Sequence, residues 1–302
     1  MLDDAALSAL AAVIREGSFE RAALALHVTP SAVSQRIRQL EDRVGCALVV
    51  RAQPCRATDT GRRLCQHVDR VRLLEQDLHG ALPALAPEGV TRVALPIAVN
   101  ADSLATWFAP ALAGYAADAP VLVEVAVDDQ DHTATWLASG SVLAAVTGTA
   151  RAAAGCNSRA LGAMRYRAVA SPAFMARHFA GGANGGVGAG SLAQAPSLVF
   201  NSKDDLQARW VRRLCHRHVD LPRHTLPSPQ AFVIASLAGM GWGLHPEAMV
   251  ADHLAAGRLV DLLPDTPLDV PLYWQHARAA SALLDGLGRV LLAAAGRALL
   301  PA

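Results

Sequence analysis

The tightest constraint on this chain lies in its first 45 residues, where capping and breaking residues divide a helical pattern into three short segments. Gly17 ends the first segment, which starts near residue 4, and Ser18 can cap the second. Thr29 followed by Pro30 starts the third, because Thr accepts free N–H groups and Pro fits the first helical position. The spacing therefore predicts three helices, the last of which ends at Gly45.

The third predicted helix has two different faces. Apolar residues recur at helical spacing and predict a packed face: Val33, Ile37, Leu40 and Val44. Hydroxyl, amide and guanidinium groups share another face: Ser31, Ser34, Gln35 and Arg38. Base edges and phosphates in a DNA major groove require such groups, and a solvated polar face is the alternative interpretation.

The order of the elements is typical of a winged helix-turn-helix, because Gly45 and an apolar strand over residues 47–50 follow the third helix. The turn after that strand is the predicted wing tip, where Arg51 and Arg56 can reach the sugar-phosphate backbone. The formal net charge is only +1, but residues 15–63 hold nine arginines against five acidic residues. This local excess suits a phosphate backbone, although it also suits a solvated basic face.

A long helix is predicted from about residue 58 to residue 82. It carries one apolar stripe: Leu64, Val68, Val71, Leu74, Leu78 and Leu82. The stripe can pack on its own domain or on a partner helix. Pro and Gly residues then mark a boundary, so the predicted units are a DNA-binding domain (1–59), a linker and dimerisation helix (60–88) and a third domain (89–302).

The remainder of the chain alternates strand and helix patterns, which favours an α/β domain with a parallel sheet. Strands are predicted over residues 92–99, 121–127, 142–147, 166–170, 197–200, 225–226, 241–244 and 270–274. Two crossings, near Arg165 and near Thr266, divide this domain into two lobes around a cleft. The first lobe spans about residues 89–165 and 267–302, and the second about 166–266. The hydrophobic content of 52% is enough to fill these cores.

Polar residues cluster where the predicted strands end, which is where open α/β sheets bind ligands. The candidate effector-binding residues are Asn100, Ala101, Asp102, Ser103, Asp128, Asp129, Thr147, Gly148, Asp204, Asp205, Ser228 and Phe232. Asn, Asp and Ser at these junctions also cap helices without any ligand, so both interpretations remain open for each residue. As a set, carboxylates beside helix N-termini suit a ligand with a cation and a carboxylate, as in an amino acid.

The segments Gly17-Ser-Phe-Glu-Arg-Ala-Ala23 and Val28-Thr-Pro-Ser-Ala-Val-Ser-Gln-Arg-Ile37, with Leu40, Glu41 and Gly45, resemble the DNA-binding domain of LysR-type transcription regulators over residues 3–85. The resemblance implies base contacts from Pro30, Ser31, Ser34 and Gln35, and backbone contacts from Arg36 and Arg38. It also implies a two-lobed effector domain like type 2 periplasmic binding proteins. The implied partners are a double-stranded DNA operator, RNA polymerase and further copies in a homodimer or homotetramer. The family often has Arg at the position of Gln35, which leaves the preferred base open.

The segment 97–108, together with Asp129, Gly148, Leu161-Gly162, Ser171-Pro172 and residues 230–232, is similar to the LysG/ArgP subfamily. This similarity implies a basic amino acid as effector, lysine or arginine before histidine, and control of an amino-acid exporter gene. The Gly-rich insert at 181–190 departs from the pattern and predicts a surface loop. A different small effector, or thiol oxidation, is the alternative.

Other classes of protein lack their signatures in this sequence. Metalloprotease, nucleophile-elbow and Walker motifs do not occur, and neither does a C-x-x-C pair, so we expect neither an enzyme nor a cofactor or metal site. Five scattered cysteines fit reduced thiols better than a disulfide framework. The absence of a signal peptide and of an 18-residue apolar stretch predicts a cytoplasmic protein without membrane contact. A secreted solute-binding protein would share the two lobes but not residues 1–60.

Overall fold

The computed structural model describes residues 3–82, 93–119, 121–128, 133–138, 141–180, 186–278 and 282–301. Predictions for Asp129, for the boundary at 83–92 and for the 181–185 part of the Gly-rich insert fall outside these residues.

Three capped helices open the chain: α1 (Asp4–Glu16), α2 (Phe19–Ala25) and α3 (Pro30–Val44). The side chain of the preceding residue caps each helix by accepting a backbone N–H: Asp3, Ser18 and Thr29. The first and third helices end at Gly17 and Gly45, whose φ angles of 67° and 81° are left-handed. The three helices predicted from caps and glycines are thereby confirmed.

The wing follows α3 as a short antiparallel pair, β1 (Val49–Val50) and β2 (Arg56–Ala57). Helices and wing enclose a core that includes Leu10, Val13, Ala22, Val33, Ile37, Leu40 and Leu48. The prediction that Val44 joins the packed face is wrong, since its side chain is 36% exposed. It lies in the last turn of α3, past the residues that pack against α1 and α2.

The linker helix α4 (Asp59–Ala81) is capped by Thr58, whose Oγ1 accepts a hydrogen bond from the Gly61 amide at 3.1 Å. The two halves of its apolar stripe have different surroundings. Leu64 and Val68 pack on the core of the first three helices. Leu74, Leu78 and Leu82 are each about half exposed, at 52%, 48% and 49%. The end of the stripe is therefore open to a partner.

The third domain contains nine strands and nine helices among its described residues. The strands are β3 (Val93–Asn100), β4 (Val121–Asp128), β5 (Ala144–Thr147), β6 (Cys156–Ala170), β7 (Ser197–Val199), β8 (Arg223–Thr225), β9 (Gly243–Pro246), β10 (Val260–Asp261) and β11 (Leu268–Ala277). The helices are α5 (Ala101–Ser103), α6 (Ala109–Asp118), α7 (Thr133–Ala138), α8 (Pro172–His178), α9 (Ala189–Leu192), α10 (Leu206–Cys215), α11 (Pro229–Leu237), α12 (Glu247–Ala255) and α13 (Ala282–Ala298). A π-helical turn (Leu104–Phe108) joins α5 to α6 without a break.

The sheet is mixed rather than parallel throughout. β3 lies parallel between β4 and β5, and β7 pairs in parallel with β8. β11 runs antiparallel to β5 and β6, and β6 also pairs antiparallel with β9 and β10. The prediction of a parallel sheet is wrong for these strands because the chain leaves the first lobe along β6 and returns along β11 in the opposite direction, with residues 171–267 between them. β6 is also 15 residues long, whereas the sequence pattern predicted only 166–170.

Two lobes share this sheet. The first lobe is built on β3, β4 and β5, and the second on β9 and β10 together with β7 and β8, which form a separate two-stranded sheet. β6 and β11 run side by side between them, and their facing residues Arg165 and Asp269 form two hydrogen bonds of 2.8 and 2.9 Å. One hydrophobic core, which contains Phe108, Tyr166, Trp242 and Trp274, extends through both lobes.

Among the described residues, every helix is too short or too polar to span a lipid bilayer.

Candidate functional site

The outward face of α3 carries the predicted DNA-reading residues. Pro30, Ser31, Gln35 and Arg38 are exposed, and Ser34 and Arg36 are half-buried. The first turn is held in place because the Thr29 hydroxyl accepts a hydrogen bond from the Ala32 amide at 3.2 Å and lies 3.0 Å from the Ser31 hydroxyl. A helix that is fixed at its start and polar on its outer face has the form required to enter a major groove.

The wing is fastened to α3 by a carboxylate that the sequence analysis gave no role. Glu41 accepts hydrogen bonds through Oε1 from the backbone amides of Leu48, at 2.7 Å, and Val49, at 3.4 Å. The amide of Cys55 also donates to the carbonyl of Gly17 at 2.8 Å. The wing is therefore tied both to the recognition helix and to the turn between α1 and α2.

The two predicted wing arginines lie on this fastened hairpin. The guanidinium of Arg51 lies over the ring of Phe19, with its carbon 4.9 Å from the ring centroid. Arg56 is exposed and faces Val50 across the hairpin. Both positive charges therefore lie on the hairpin that Glu41 ties to α3, and phosphate oxygens are the usual partners of arginines at the edge of a DNA-binding module.

A second candidate site is the cleft between the two lobes, where the structure encloses about 400 Å³ including the open mouth. The first lobe supplies Ala101, Asp102 and Asp128 to its wall. The second lobe supplies Phe200, Asp204, Leu206, Gln207, Pro229, Phe232 and Leu244. A mostly apolar wall with a few polar groups is typical of a small-molecule site.

On the first lobe, β3 ends at Asn100 and the helical segment 101–118 begins directly after it. Asn100 and Ser103 are buried, at 1% and 0% exposure. Within the described part of the chain, neither the amide group of Asn100 nor the hydroxyl of Ser103 has a hydrogen-bond partner. Because buried polar groups are almost always paired, this helix start is suited to receive a polar ligand group.

Two carboxylates on the first lobe lie at the cavity wall. Asp102 accepts a hydrogen bond through Oδ2 from the Tyr166 hydroxyl at 2.7 Å. Asp128, at the end of β4, accepts one through Oδ2 from the indole N–H of Trp136 at 3.1 Å. The ammonium of Lys203, which belongs to the second lobe, lies 3.3 Å from each oxygen of Asp128. The cleft therefore already places a cation against a carboxylate.

The other acidic candidates have different surroundings. Asp204 is buried and accepts hydrogen bonds from the backbone amides of Phe200, at 2.8 Å, and Leu206, at 3.1 Å. Burial raises the pKa of Asp204, and these two hydrogen bonds act against that rise. Asp205 is exposed and lies 3.8 Å from Arg209 on the next turn. Asp204 thus shapes the wall, whereas Asp205 pairs locally on α10.

Of the remaining candidates, one lines the cavity and the others lie behind its wall or outside it. Phe232 lines the cavity, and Ser228 caps the same helix by accepting from the Ala231 amide at 3.3 Å. Thr147 is buried, and its hydroxyl accepts a hydrogen bond from the Thr149 amide at 3.3 Å. Thr147 and the adjoining Gly148 are not among the described residues that form the cavity wall.

Two of the five thiols are poorly suited to a redox function. Burial raises the pKa of Cys65 to about 11, and it also raises the pKa of Cys156. Both cysteines are therefore held as thiols, whereas oxidation requires the thiolate.

Comparison with known sequences decides the family. The profile of the bacterial regulatory helix-turn-helix proteins of the lysR family matches residues 5–62, and that of the LysR substrate binding domain matches residues 88–296. The chain belongs to the LysR family.

Similar proteins cover this LysR-family chain over its whole length. The HTH-type transcriptional regulator ArgP of Pseudomonas aeruginosa is 48% identical over 296 residues, which are 98% of this chain and 97% of that protein. A crystal structure of ArgP from Mycobacterium tuberculosis is 42% identical, covers 100% of both chains and has a TM-score of 0.82. A structure of LysG from Corynebacterium glutamicum with bound effector Arg is 37% identical, covers 99% of this chain and 100% of that one, and has a TM-score of 0.71.

These matches confirm the resemblance seen in the sequence, and with it the winged helix-turn-helix joined to a two-lobed effector domain. The named relatives are transcription regulators rather than enzymes. Four residues at the cleft of this LysR-family protein were not among the predicted site residues: Tyr166, Trp136, Lys203 and Gln207. Lys203 and Gln207 lie beside the predicted Asp204 in the sequence, and Trp136 follows Asp128 by eight residues. What the sequence did not show is the pairing of Lys203 with Asp128 and of Tyr166 with Asp102, because only folding brings these segments together. The lone lysine was visible in the composition, but its partner was not.

Proposed function

We propose that this protein is a transcription regulator whose operator binding responds to a basic amino acid, arginine or lysine before histidine. The observation that carries the proposal is the carboxylate of Asp128, which pairs with an ammonium at the wall of the cleft between the lobes. Burying a cation without an acceptor is very costly, so a site for a basic ligand must contain such a carboxylate. Bound arginine in the related LysG structure supports the same class of effector.

The two ends of the ligand have different partners in this proposal. The α-carboxylate of the ligand lies at the start of the helical segment 101–118. There it accepts hydrogen bonds from the side-chain amide of Asn100 and the hydroxyl of Ser103, which have no other partner among the described residues. The side-chain cation lies against Asp128. Asp102, held by Tyr166, then faces the α-ammonium group. Closure of the lobes on this ligand shifts the arrangement of the DNA-binding arms.

In the DNA-binding domain, the start of α3 contacts base edges, and arginines of α3 and the wing contact the phosphate backbone of the DNA. Base contacts come from Pro30, Ser31, Ser34 and Gln35, and phosphate contacts from Arg36, Arg38, Arg51 and Arg56. Two copies pair through the exposed end of α4 and present two recognition helices to a roughly palindromic operator. The active form is a homodimer or homotetramer that works with RNA polymerase in the cytoplasm, and an amino-acid exporter gene is the proposed target.

Calorimetry on the full-length protein tests the effector. Arginine and lysine are expected to bind, whereas citrulline, which has the shape of arginine without its charge, binds much more weakly. Asp128→Asn should remove about 1.5–3 kcal/mol of the preference for arginine over citrulline, roughly ten- to a hundredfold, because a hydrogen bond to a charged group is lost. Asp205→Asn is the matched control, since that carboxylate is exposed and pairs with Arg209.

Two outcomes count against the proposal. If arginine, lysine and histidine all fail to bind at millimolar concentration while a neutral or acidic compound binds, the basic effector is wrong. If Asp128→Asn and Asp205→Asn behave alike, the cation is held elsewhere.

A further inference from the structure

Lys203 is the one lysine in the 302-residue sequence, and all others of the 27 lysine and arginine residues are arginines. Lysine and arginine differ as cations: lysine is a compact point charge, whereas arginine offers a planar fork that clamps a carboxylate with two bonds. A chain that uses arginine at every other cationic position has a lysine at the cleft.

The loop that carries Lys203 is fixed by its own hydrogen bonds. The Asn201 side-chain oxygen accepts from the backbone amides of Lys203, at 2.7 Å, and Asp204, at 3.2 Å. The carboxylate of Asp204 accepts from the amides of Phe200 and Leu206 on either side. The turn between β7 and α10 therefore holds the backbone of Lys203 in place.

From this turn the side chain of Lys203 reaches across the cleft to the first lobe. The ammonium lies 3.3 Å from both oxygens of Asp128, while the indole of Trp136 donates to one of them from behind. The carboxylate is mostly buried, with 14% of its side chain exposed, whereas the Lys203 side chain is 47% exposed. Charge-assisted hydrogen bonds are commonly about 2.7–2.9 Å long, so this contact is long and open to solvent.

We propose that Lys203 is a built-in competitor of the effector: its ammonium holds the Asp128 carboxylate in the effector-free protein, and arginine binds by displacing it. The inference rests on the proposed function, because it requires Asp128 to be the cation-binding carboxylate. An internal lysine that is weakly held can yield to a free arginine, whose fork makes the stronger contact. The displaced ammonium also releases an ion pair that joins the two lobes, so exchange of one cation for another is coupled to the position of the lobes.

Affinity measurements separate competition from other roles of Lys203. Lys203→Met keeps the length of the side chain without its charge, and should lower the Kd for arginine about two- to fivefold, the usual worth of an exposed ion pair. Lys203→Arg should raise the Kd, because a guanidinium holds Asp128 more firmly. Arg209→Met is the control for losing a nearby positive charge from the same lobe, and it should leave the Kd unchanged. Weaker arginine binding by Lys203→Met, or wild-type binding by both Lys203 variants, overturns the proposal.

Chemical labelling observes the displacement directly, because one side-chain amine and the N-terminus are the only primary amines of the chain. Acetylation of Lys203 in the full-length protein, followed by mass spectrometry, should become several-fold faster with saturating arginine but not with citrulline, relative to the N-terminal amine. An unchanged or slower rate with arginine overturns the competition.

The same labelling separates the two proposals without any effector. In Asp128→Asn, Lys203 should react faster than in the wild-type protein even when no amino acid is added. If calorimetry finds no basic ligand but this difference holds, the function is wrong and the ion pair stands. If arginine binds and the difference is absent, Lys203 does not hold Asp128 and the competition fails alone.

Discussion

At the scale of single residues, one buried histidine links stability to pH. His245 lies on β9 at 1% exposure, with Nε2 3.0 Å from the Ser236 hydroxyl. Its ring makes an edge contact with Phe232 on the cleft wall, at 5.9 Å between centroids. Burial lowers the pKa of His245 to about 3. The folded protein therefore keeps this ring neutral, whereas the unfolded chain takes up a proton near the ordinary pKa of 6.5.

The sign of the pH effect follows from that difference. Between pH 6.5 and pH 3 the unfolded state binds more protons, so the free energy of unfolding falls as the pH falls through this window. From pH 7 to pH 5 the contribution of His245 should drop by about 2 kcal/mol. Urea unfolding of the wild type and of His245→Gln at both pH values measures it, because the variant should lose about 2 kcal/mol less. Equal losses in the two proteins would mean that His245 is protonated in the folded state.

At the scale of elements, the two halves of the apolar stripe on the linker helix α4 have different surroundings. Val68 is buried on the core of its own domain, while Leu74 and Leu78 are half exposed. An exposed apolar row at the end of a long helix favours pairing with a second copy, in which both rows are removed from water.

The double variant Leu74→Glu, Leu78→Glu should therefore break the dimer and leave each protomer folded, since neither leucine belongs to its core. Each leucine that a partner buries contributes about 1.5–3 kcal/mol, and the dimer would contain four of them. Light scattering at micromolar concentration measures the mass, and circular dichroism checks the helices. Arg63→Glu, on the first turns of the same helix, is the control and should stay dimeric. A variant with the wild-type mass and DNA affinity would refute this interface.

At the scale of the whole molecule, the net charge of +1 is too small to attract DNA strongly, so we expect the attraction to come from the local arginine excess of the N-terminal domain. In the proposed dimer, two copies double every DNA contact. The effect of one substitution on DNA binding therefore counts twice in a dimer.

Gln35→Ala and Arg38→Ala separate base reading from phosphate contact. Gln35→Ala should weaken operator binding by about 1–3 kcal/mol per base contact and leave binding to unrelated DNA unchanged. Arg38→Ala should weaken binding to all sequences and reduce the slope of log affinity against log salt by about 2, one phosphate for each protomer. Gel shifts over a salt series measure both. Unchanged operator affinity in the two variants contradicts the assignment of α3.

The N-terminal module could be predicted from the sequence because its signals are local. A cap, a proline at the first position and a terminal glycine each act within one helical turn, so Thr29, Pro30 and Gly45 determine α3 wherever the rest of the chain lies. The two faces of that helix follow from its period alone. The same reasoning failed for Val44, because whether an apolar residue is covered depends on what packs over it.

The strands of the effector domain and the junctions that follow them could be predicted in part from the sequence, since strand patterns and polar turns are local as well. The sequence alone placed Asn100, Asp102 and Asp128 at strand ends. It did not distinguish a ligand group from a cap, because that depends on burial and on partners from elsewhere in the chain. The full length of β6 also went unseen, because it is determined by pairing with β11.

Only the tertiary structure decided which candidates form the cleft. Asp128, Asp204 and Asn100 all lie in similar polar segments, but their surroundings differ. Asp128 contacts Lys203 and Trp136, whereas Asp204 accepts a hydrogen bond from within its own loop. Asn100 is buried without a partner among the described residues. The physical reason is that the cleft lies between lobes formed by segments far apart in sequence, so its electrostatics arise from contacts that no local pattern encodes. The sequence determined the kind of molecule, and the packing of its lobes determined which carboxylate faces a cation.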